Sequence, residues 1–179
     1  RTILASGDLI RGNSLYPLTL ILVLLGVFTK SAQFPFHFWL PQAMAAPTPV
    51  SAFLHSATMV KAGVFLLARL YPALAESEWW FYLVSITGLA TLLIGAVMAL
   101  FQHDLKGLLA YSTISHLGLI TLLFGLDSRL AAVAAIFHII NHATFKASLF
   151  MAAGIIDHET GTRDMRRING MWKYMPHTA

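Results

Sequence analysis

Residues 79–101 read WWFYLVSITGLATLLIGAVMALF, and this stretch decides the class of fold. Its 23 positions contain no Asp, Glu, Lys, Arg or His. A helix that crosses the hydrocarbon core of a bilayer needs about 20 predominantly apolar residues, because each residue adds about 1.5 Å along the axis. The stretch therefore predicts a transmembrane helix.

The composition of the whole chain also indicates a membrane protein. Hydrophobic residues make up 57% and charged residues 11% of 179 positions, whereas charged residues are about a quarter of an ordinary soluble domain. The absence of cysteine excludes disulfide scaffolds, iron–sulfur clusters and thiolate zinc sites. The net charge is +4, but no basic stripe with interleaved aromatic residues is present, so we expect no nucleic-acid partner.

Further apolar runs of membrane-spanning length flank this stretch, at residues 15–40, 50–70, 108–126 and 130–156. They are rich in Leu, Ala and Gly and lack the strict alternation of β-barrel strands. Short polar joints at 76–78, 102–107 and 127–129 require consecutive helices to be antiparallel neighbours. We predict an all-α fold, a polytopic transmembrane helical bundle with about five spans.

The chain divides into three parts by polarity. Residues 1–14 form a polar lead-in, residues 15–156 the transmembrane core, and residues 157–179 a polar connector to a further span. The chain opens at Arg1 without an initiator Met or a signal-peptide pattern, so we expect a piece of a longer protein. A small excess of Lys and Arg on the side of the connector favours a cytoplasmic connector.

The first apolar run contains a lysine and a proline that interrupt a simple helix. Pro35 lacks an N–H group and clashes with the preceding turn, so we predict a helix break there. If one span ran from Pro17 to Leu40, Lys30 would lie near mid-membrane. Alternatively, the helix ends at Lys30 and its side chain extends to the lipid headgroups.

Ionisable residues also occur inside the second and fourth runs. His55 and Lys61 lie in the second run, and a lysine at the centre of a membrane helix costs about 2.5 to 3.5 kcal/mol. These groups should therefore face protein or water. The fourth run contains Ser112 and His116 at i, i+4; serine is a common packing residue in membrane helices, whereas the histidine is a candidate functional group.

The fifth run carries the densest pattern of ionisable residues. His138, His142 and Lys146 recur at i, i+4 and i+8, which places them in a stripe about 12 Å long on one side of a helix. Imidazole accepts a proton on one nitrogen and releases one from the other, and its charge changes near neutral pH. With Lys61 and His116, this stripe predicts a proton relay.

Other chemistries fit the pattern less well. A metal site is disfavoured because the sequence between His138 and His142 lacks the glutamate of a zinc-protease helix. Paired histidines on membrane helices also bind haem, which would account for the histidines but not for the lysines. No phosphate-binding glycine loop and no Ser/His/Asp arrangement is present, so we expect no direct catalysis.

Several motifs together resemble a known membrane family. They are KSAQFP at 30–35, PTPVSA at 47–52, HSATMVKAG at 55–63, DLKGLLAYSTISH at 104–116, and HATFKASLF at 142–150. The chain resembles the proton-antiporter-like family, which includes the large antiporter-like subunits of respiratory complex I and the A-type subunit of Mrp-type multisubunit Na⁺/H⁺ antiporters. The pattern at 157–176 looks more like the Mrp A-type subunit than the complex I subunit.

The resemblance implies roles for individual residues. The helix that contains Lys30 would be discontinuous, and Lys30 would be the central proton-carrying lysine, paired with a glutamate on an earlier helix. His55 would connect Lys30 inward. His138, His142 and Lys146 would continue the axis toward a later broken helix. Neither that glutamate nor that later helix lies within the 179 residues.

The resemblance also implies a biological role. The chain would be a proton-translocating subunit of a Na⁺/H⁺ antiporter in the cell inner (plasma) membrane, surrounded by lipid and other subunits, with H⁺ and Na⁺ as its ions. It would use no cofactor and no metal. The alternatives are an antiporter-like proton-pumping subunit of complex I and a haem-binding membrane protein.

Overall fold

The computed structural model describes residues 6–56 and 58–175, with the backbone alone for Tyr174. Arg1, Ala57 and Pro176, which enter the sequence predictions, lie outside the described residues, as do parts of the predicted lead-in and connector. The described residues form nine α-helices: α1 Gly7–Arg11, α2 Tyr16–Lys30, α3 Trp39–Gln42, α4 Thr48–Ser56, α5 Met59–Leu74, α6 Glu78–Leu100, α7 Leu105–Gly125, α8 Arg129–Thr160 and α9 Met171–Tyr174.

Four helical segments are long and apolar enough to cross a membrane. They are Thr48–Leu74, which combines α4 and α5, and the helices α6, α7 and α8. The helix α2 adds a shorter apolar segment of 15 residues. The predicted all-α, polytopic membrane bundle is therefore confirmed.

The first apolar run is interrupted earlier than its proline. Helix α2 ends at Lys30, and Pro35 immediately precedes a 3₁₀ turn at Phe36–Phe38. Ala32 has a φ of +48°, which leaves the helical region. The hydroxyl of Ser31 donates to the Val60 carbonyl at 2.7 Å and accepts from the Val64 N–H at 2.9 Å, so the break is anchored to α5.

Among the described helices, α6 and α7 pack most closely, because small residues let their backbones approach. A Cβ added at Gly95 would lie 2.6 Å from the Ser115 nitrogen, a distance that no side chain tolerates. The Ser115 hydroxyl donates to the Leu92 carbonyl at 3.0 Å across the same contact. This packing fixes the position of α7, which carries His116.

Each of the three long helices has a side-chain N-cap at its start. Ser77 accepts from the Trp80 N–H, Asp104 from the Gly107 N–H and Ser128 from the Ala131 N–H. Each cap satisfies a backbone donor that has no partner within its helix. The joints between α6, α7 and α8 are short, and these helices run antiparallel to their neighbours.

The segment after α8 folds back on the joint between α6 and α7. The Leu105 N–H donates to the Arg163 carbonyl at 3.0 Å, and the Met165 N–H donates to the His103 carbonyl at 2.9 Å. Gly161, at a φ of +66°, ends α8 in the left-handed conformation that glycine adopts readily. The start of the connector is therefore held at the same end of the bundle as the N-terminus of α7.

Candidate functional site

The stripe on α8 faces α7 and lies inside the bundle. His142 and Lys146 are completely buried, and His138 is partly buried. Ile136 and Ile140, on other sides of the same helix, are exposed. The helical repeat of four residues brings the three ionisable side chains to one interface, because residues at i and i+4 lie on the same face.

His116 of α7 meets the two histidines of this stripe. Its Nδ1 lies 3.1 Å from Nε2 of His138, a hydrogen bond in which one imidazole donates and the other accepts. Its ring centroid lies 5.2 Å from that of His138 and 5.2 Å from that of His142. Three imidazoles from two helices therefore form one cluster.

An aromatic side chain packs against this cluster. The Phe145 ring packs edge-on against His116 and His142, with centroid distances of 5.4 and 5.3 Å. Neither ring nitrogen of His142 has a hydrogen-bond partner in the described part of the chain, although the residue is buried. The neutral ring of His142 therefore keeps one unpaired donor and one unpaired acceptor inside the cluster.

Two buried lysines flank the imidazoles. The Nζ of Lys146 donates to the Ser112 hydroxyl at 2.7 Å and to the Leu109 carbonyl at 3.1 Å. The Nζ of Lys61, on α5, donates to the Ile139 carbonyl of α8 at 3.0 Å. Both lysines therefore bond neutral oxygen atoms.

No described carboxylate pairs with either of these lysines. The ion pairs among the described residues all lie near helix ends or in the connector, and their acidic members are Asp8, Glu76, Asp104, Asp157, Glu159 and Asp164. A buried ammonium without a counter-ion is sensitive to any charge that approaches it, since the local dielectric constant is low.

His55 lies at the opposite side of Lys146 from the imidazole cluster. Its ring stacks on Phe150 of α8 with a centroid distance of 5.3 Å, and it is buried. Neither ring nitrogen has a hydrogen-bond partner among the described residues. His55 lies within electrostatic range of Lys146 and makes no described hydrogen bond to it.

Lys30 is placed apart from these groups. Its side chain is exposed at the C-terminal end of α2, where the Trp39 indole N–H donates to the carbonyl of the preceding Thr29 at 3.1 Å. Pro35 is also exposed and lies in the turn region that follows. The described residues therefore bring together His116, His138, His142, Lys61 and Lys146, with His55 beyond Lys146, but not Lys30.

A third buried lysine was missed by sequence reasoning. Lys106 is only 4% exposed, and its Nζ donates to the Ala46 carbonyl at 3.2 Å. The sequence places it in a polar joint, where a lysine is normally solvated. Asp104 supplies a usable signal, because a helix-capping aspartate predicts that α7 begins at the next residue and that Lys106 lies in its first turn.

The described residues contain no group of three or more His, Cys, Asp or Glu side chains arranged to hold a metal ion.

Comparison with known proteins identifies the family. Residues 2–179 match the family described as "NADH:quinone oxidoreductase/Mrp antiporter, TM". The chain belongs to this family. The resemblance inferred from the motifs is thereby confirmed.

Two relatives in this family are similar to the chain over nearly its whole length. It is 73% identical over 177 residues to a probable K⁺/H⁺ antiporter protein, the A/B-type subunit of Rhizobium meliloti (strain 1021), covering 99% of this chain and 18% of the relative. It is 58% identical over 192 aligned positions to the A-type subunit of the Na⁺/H⁺ antiporter of Alkalihalophilus pseudofirmus, covering 99% of this chain and 24% of the relative. The chain thus spans less than a quarter of these relatives.

Two solved structures of membrane complexes share the fold. The Mrp complex from Dietzia sp. DQ12-45-1b matches with a TM-score of 0.89 and 48% identity over 95% of this chain and 19% of that chain. An archaeal respiratory membrane complex, the membrane-bound sulfane sulfur reductase, matches with a TM-score of 0.84 and 32% identity over 92% and 34%. Both matches show that the chain has the fold of one part of a chain in each of these membrane complexes.

Proposed function

We propose that the chain is the proton-translocating part of a membrane subunit in a multisubunit monovalent cation/H⁺ antiporter of the Mrp type. The assembly would lie in the cell inner (plasma) membrane, with lipid and other subunits around this chain. The proposal is supported by the similarity to proteins named for Na⁺/H⁺ and K⁺/H⁺ antiport. Its ions would be H⁺ and Na⁺, and the name of the first relative makes K⁺ a further candidate.

The observation that carries the proposal is the cluster of His116, His138 and His142 between two buried lysines. Proton transfer between neighbouring imidazoles needs a hydrogen bond, and the 3.1 Å contact from His116 to His138 supplies one. Small rotations of His142 would bring its free nitrogens toward either neighbour. The relay would run from Lys61 through the three imidazoles to Lys146.

The mechanism that we infer is electrostatic. Lys61 and Lys146 bond neutral oxygens, so no resident counter-ion fixes their charge. A carboxylate that approaches or withdraws changes how firmly a nearby lysine holds its proton. Lys30, at the surface of the described bundle, would meet such a carboxylate in a part of the protein beyond this sequence. Movement of the cation would then be coupled to proton release.

Cation-driven proton movement tests this function directly. Membrane vesicles that contain the assembled complex should acidify or alkalinise when Na⁺ or K⁺ is added, and a Lys61→Met, His142→Gln variant should not. Retained proton movement in that variant would contradict the relay. Proton movement that requires an electron donor and a quinone, rather than a cation gradient, would favour the complex I alternative. A Soret band lost on His138→Ala would favour haem binding.

A further inference from the structure

The connector segment carries an arginine that pairs with two aspartates beside a buried lysine. Nε of Arg163 lies 3.4 Å from Oδ1 of Asp104 and 4.0 Å from Oδ2 of Asp157. Asp104 precedes α7, and Asp157 lies in the last turn of α8. One guanidinium thus joins the connector to the ends of two membrane helices.

Lys106 lies within electrostatic range of all three charged groups, Asp104, Asp157 and Arg163. Its described hydrogen bond goes instead to the neutral carbonyl of Ala46. The other two carboxylates of the segment are engaged elsewhere, because Glu159 lies 3.0 Å from Nδ1 of His158 and Asp164 bonds Arg166. Hydrogen bonds from the Arg166 side chain lower the pKa of Asp164 to about 2, so this carboxylate stays ionised and paired with Arg166.

Lys106 also continues the polar contacts of α7 toward the aqueous end of the bundle. It lies one helical turn before Leu109, whose carbonyl accepts a hydrogen bond from Lys146. A lysine in this position can exchange a proton only if no carboxylate holds it as a permanent ion pair, since an opposite charge within about 4–6 Å favours the charged form.

We propose that Arg163 is a positioning residue: it occupies the carboxylates of Asp104 and Asp157 and thereby leaves Lys106 bonded to a neutral carbonyl, with an exchangeable proton. This inference rests on the proposed proton-translocating function. Without the guanidinium, two carboxylates would be free to pair with the Lys106 ammonium. The lysine would then retain its proton to higher pH.

Variants can separate this role from a structural one. The backbone bonds of the connector use the carbonyl of Arg163, which any residue supplies, so Arg163→Gln leaves them in place. Asp104→Asn removes a charge but retains an oxygen that caps α7. Arg167→Gln is the matched control, because this arginine is exposed, lies in the same segment and pairs with Asp164.

The first experiment measures cation-driven proton flux against pH in vesicles with the assembled complex. We expect Arg163→Gln to lower flux near neutral pH several-fold and to move the pH profile upward by about one unit, which is the effect of one nearby charge. The double variant Arg163→Gln, Asp104→Asn should have a pH profile shifted back toward that of the wild type. The Arg167→Gln variant should have the wild-type profile. A wild-type profile for Arg163→Gln, or a uniform loss that Asp104→Asn does not reverse, would overturn the proposal.

A second measurement does not depend on transport. A small acylating reagent reacts with the neutral amine of a lysine, so the rate of Lys106 modification, followed by mass spectrometry, reports how firmly it holds its proton. The rate should fall in Arg163→Gln and recover in the Arg163→Gln, Asp104→Asn variant. Equal rates in all variants would refute the role of Arg163. Normal flux in a Lys146→Met variant would instead refute the proposed relay.

Discussion

His116 and His138 share a hydrogen bond of 3.1 Å that joins α7 to α8 in the interior of the membrane bundle. The two residues are 22 positions apart in sequence, so only the antiparallel packing of the two helices brings them together. In the proposed relay they act as one unit, because a proton leaves one imidazole as it reaches the other.

A double-mutant cycle on this pair tests that coupling. We expect His116→Gln and His138→Gln each to reduce cation-driven proton flux by at least about tenfold, a lower bound on the roughly 10²–10⁴-fold contribution of a positioned proton-transferring group. The double variant should be little worse than either single variant, because residues that act as a unit are not additive. If the flux of the double variant fell by the product of the two single-variant reductions, the two histidines would act independently.

Replacing Lys146 tests whether this residue is needed for transport without being needed for stability. Methionine has a similar shape without the charge, and it avoids the cost of burying an ammonium that has no counter-ion. We therefore expect Lys146→Met to abolish proton flux while the complex assembles at wild-type levels. Lys173→Met, on the exposed connector, is the control and should transport normally. Failure of Lys146→Met to assemble would indicate that Lys146 is structural.

Lys30 provides a test of the part of the pathway outside the imidazole cluster. Lys30→Ala should abolish cation-dependent proton movement, and assembly should persist because the side chain is exposed in this chain. Lys30→Arg should fail too, since a guanidinium stays protonated. Transport near the wild-type level in either variant would remove Lys30 from the pathway.

The close packing of α6 and α7 predicts a difference between two glycines. Gly95→Ala would place a methyl group against the Ser115 backbone, and such overpacking costs about 1–3 kcal/mol. Gly26→Ala, on α2, meets nothing within 4 Å and should be tolerated. Thermal unfolding of the purified complex measures both. Equal stability of the two variants would mean that α6 and α7 do not pack as closely as described.

Helix positions and the shared face on α8 could be predicted from sequence because they depend on local periodicity. Runs of apolar residues show where the membrane-spanning helices lie. The spacing of His138, His142 and Lys146 shows that these three residues share one face of a helix. Their partners could not be predicted, since the contact with His116 depends on how α7 and α8 are rotated and shifted against each other. Ser112, interpreted chiefly as a packing residue, accepts a hydrogen bond from Lys146 for the same reason.

Two features that the sequence left open or missed have specific physical causes. The first helix ends at Lys30, the alternative to a break at Pro35, and Ser31 bonds to the backbone of α5 at this point. Lys106 was assigned to a solvated joint, whereas the Asp104 cap starts α7 early enough to bury it. Both causes involve side-chain contacts with the backbone, which apolar periodicity does not reveal.

The central claim is that protons pass through the imidazole cluster, and His142 tests it most directly. Glutamine at this position fills a similar volume and offers polar atoms but has no ring nitrogen to accept and release a proton. In proteoliposomes that contain the assembled complex, the initial rate of proton movement after a cation jump should fall by about tenfold or more in His142→Gln. A wild-type rate in an assembled His142→Gln complex would contradict the relay.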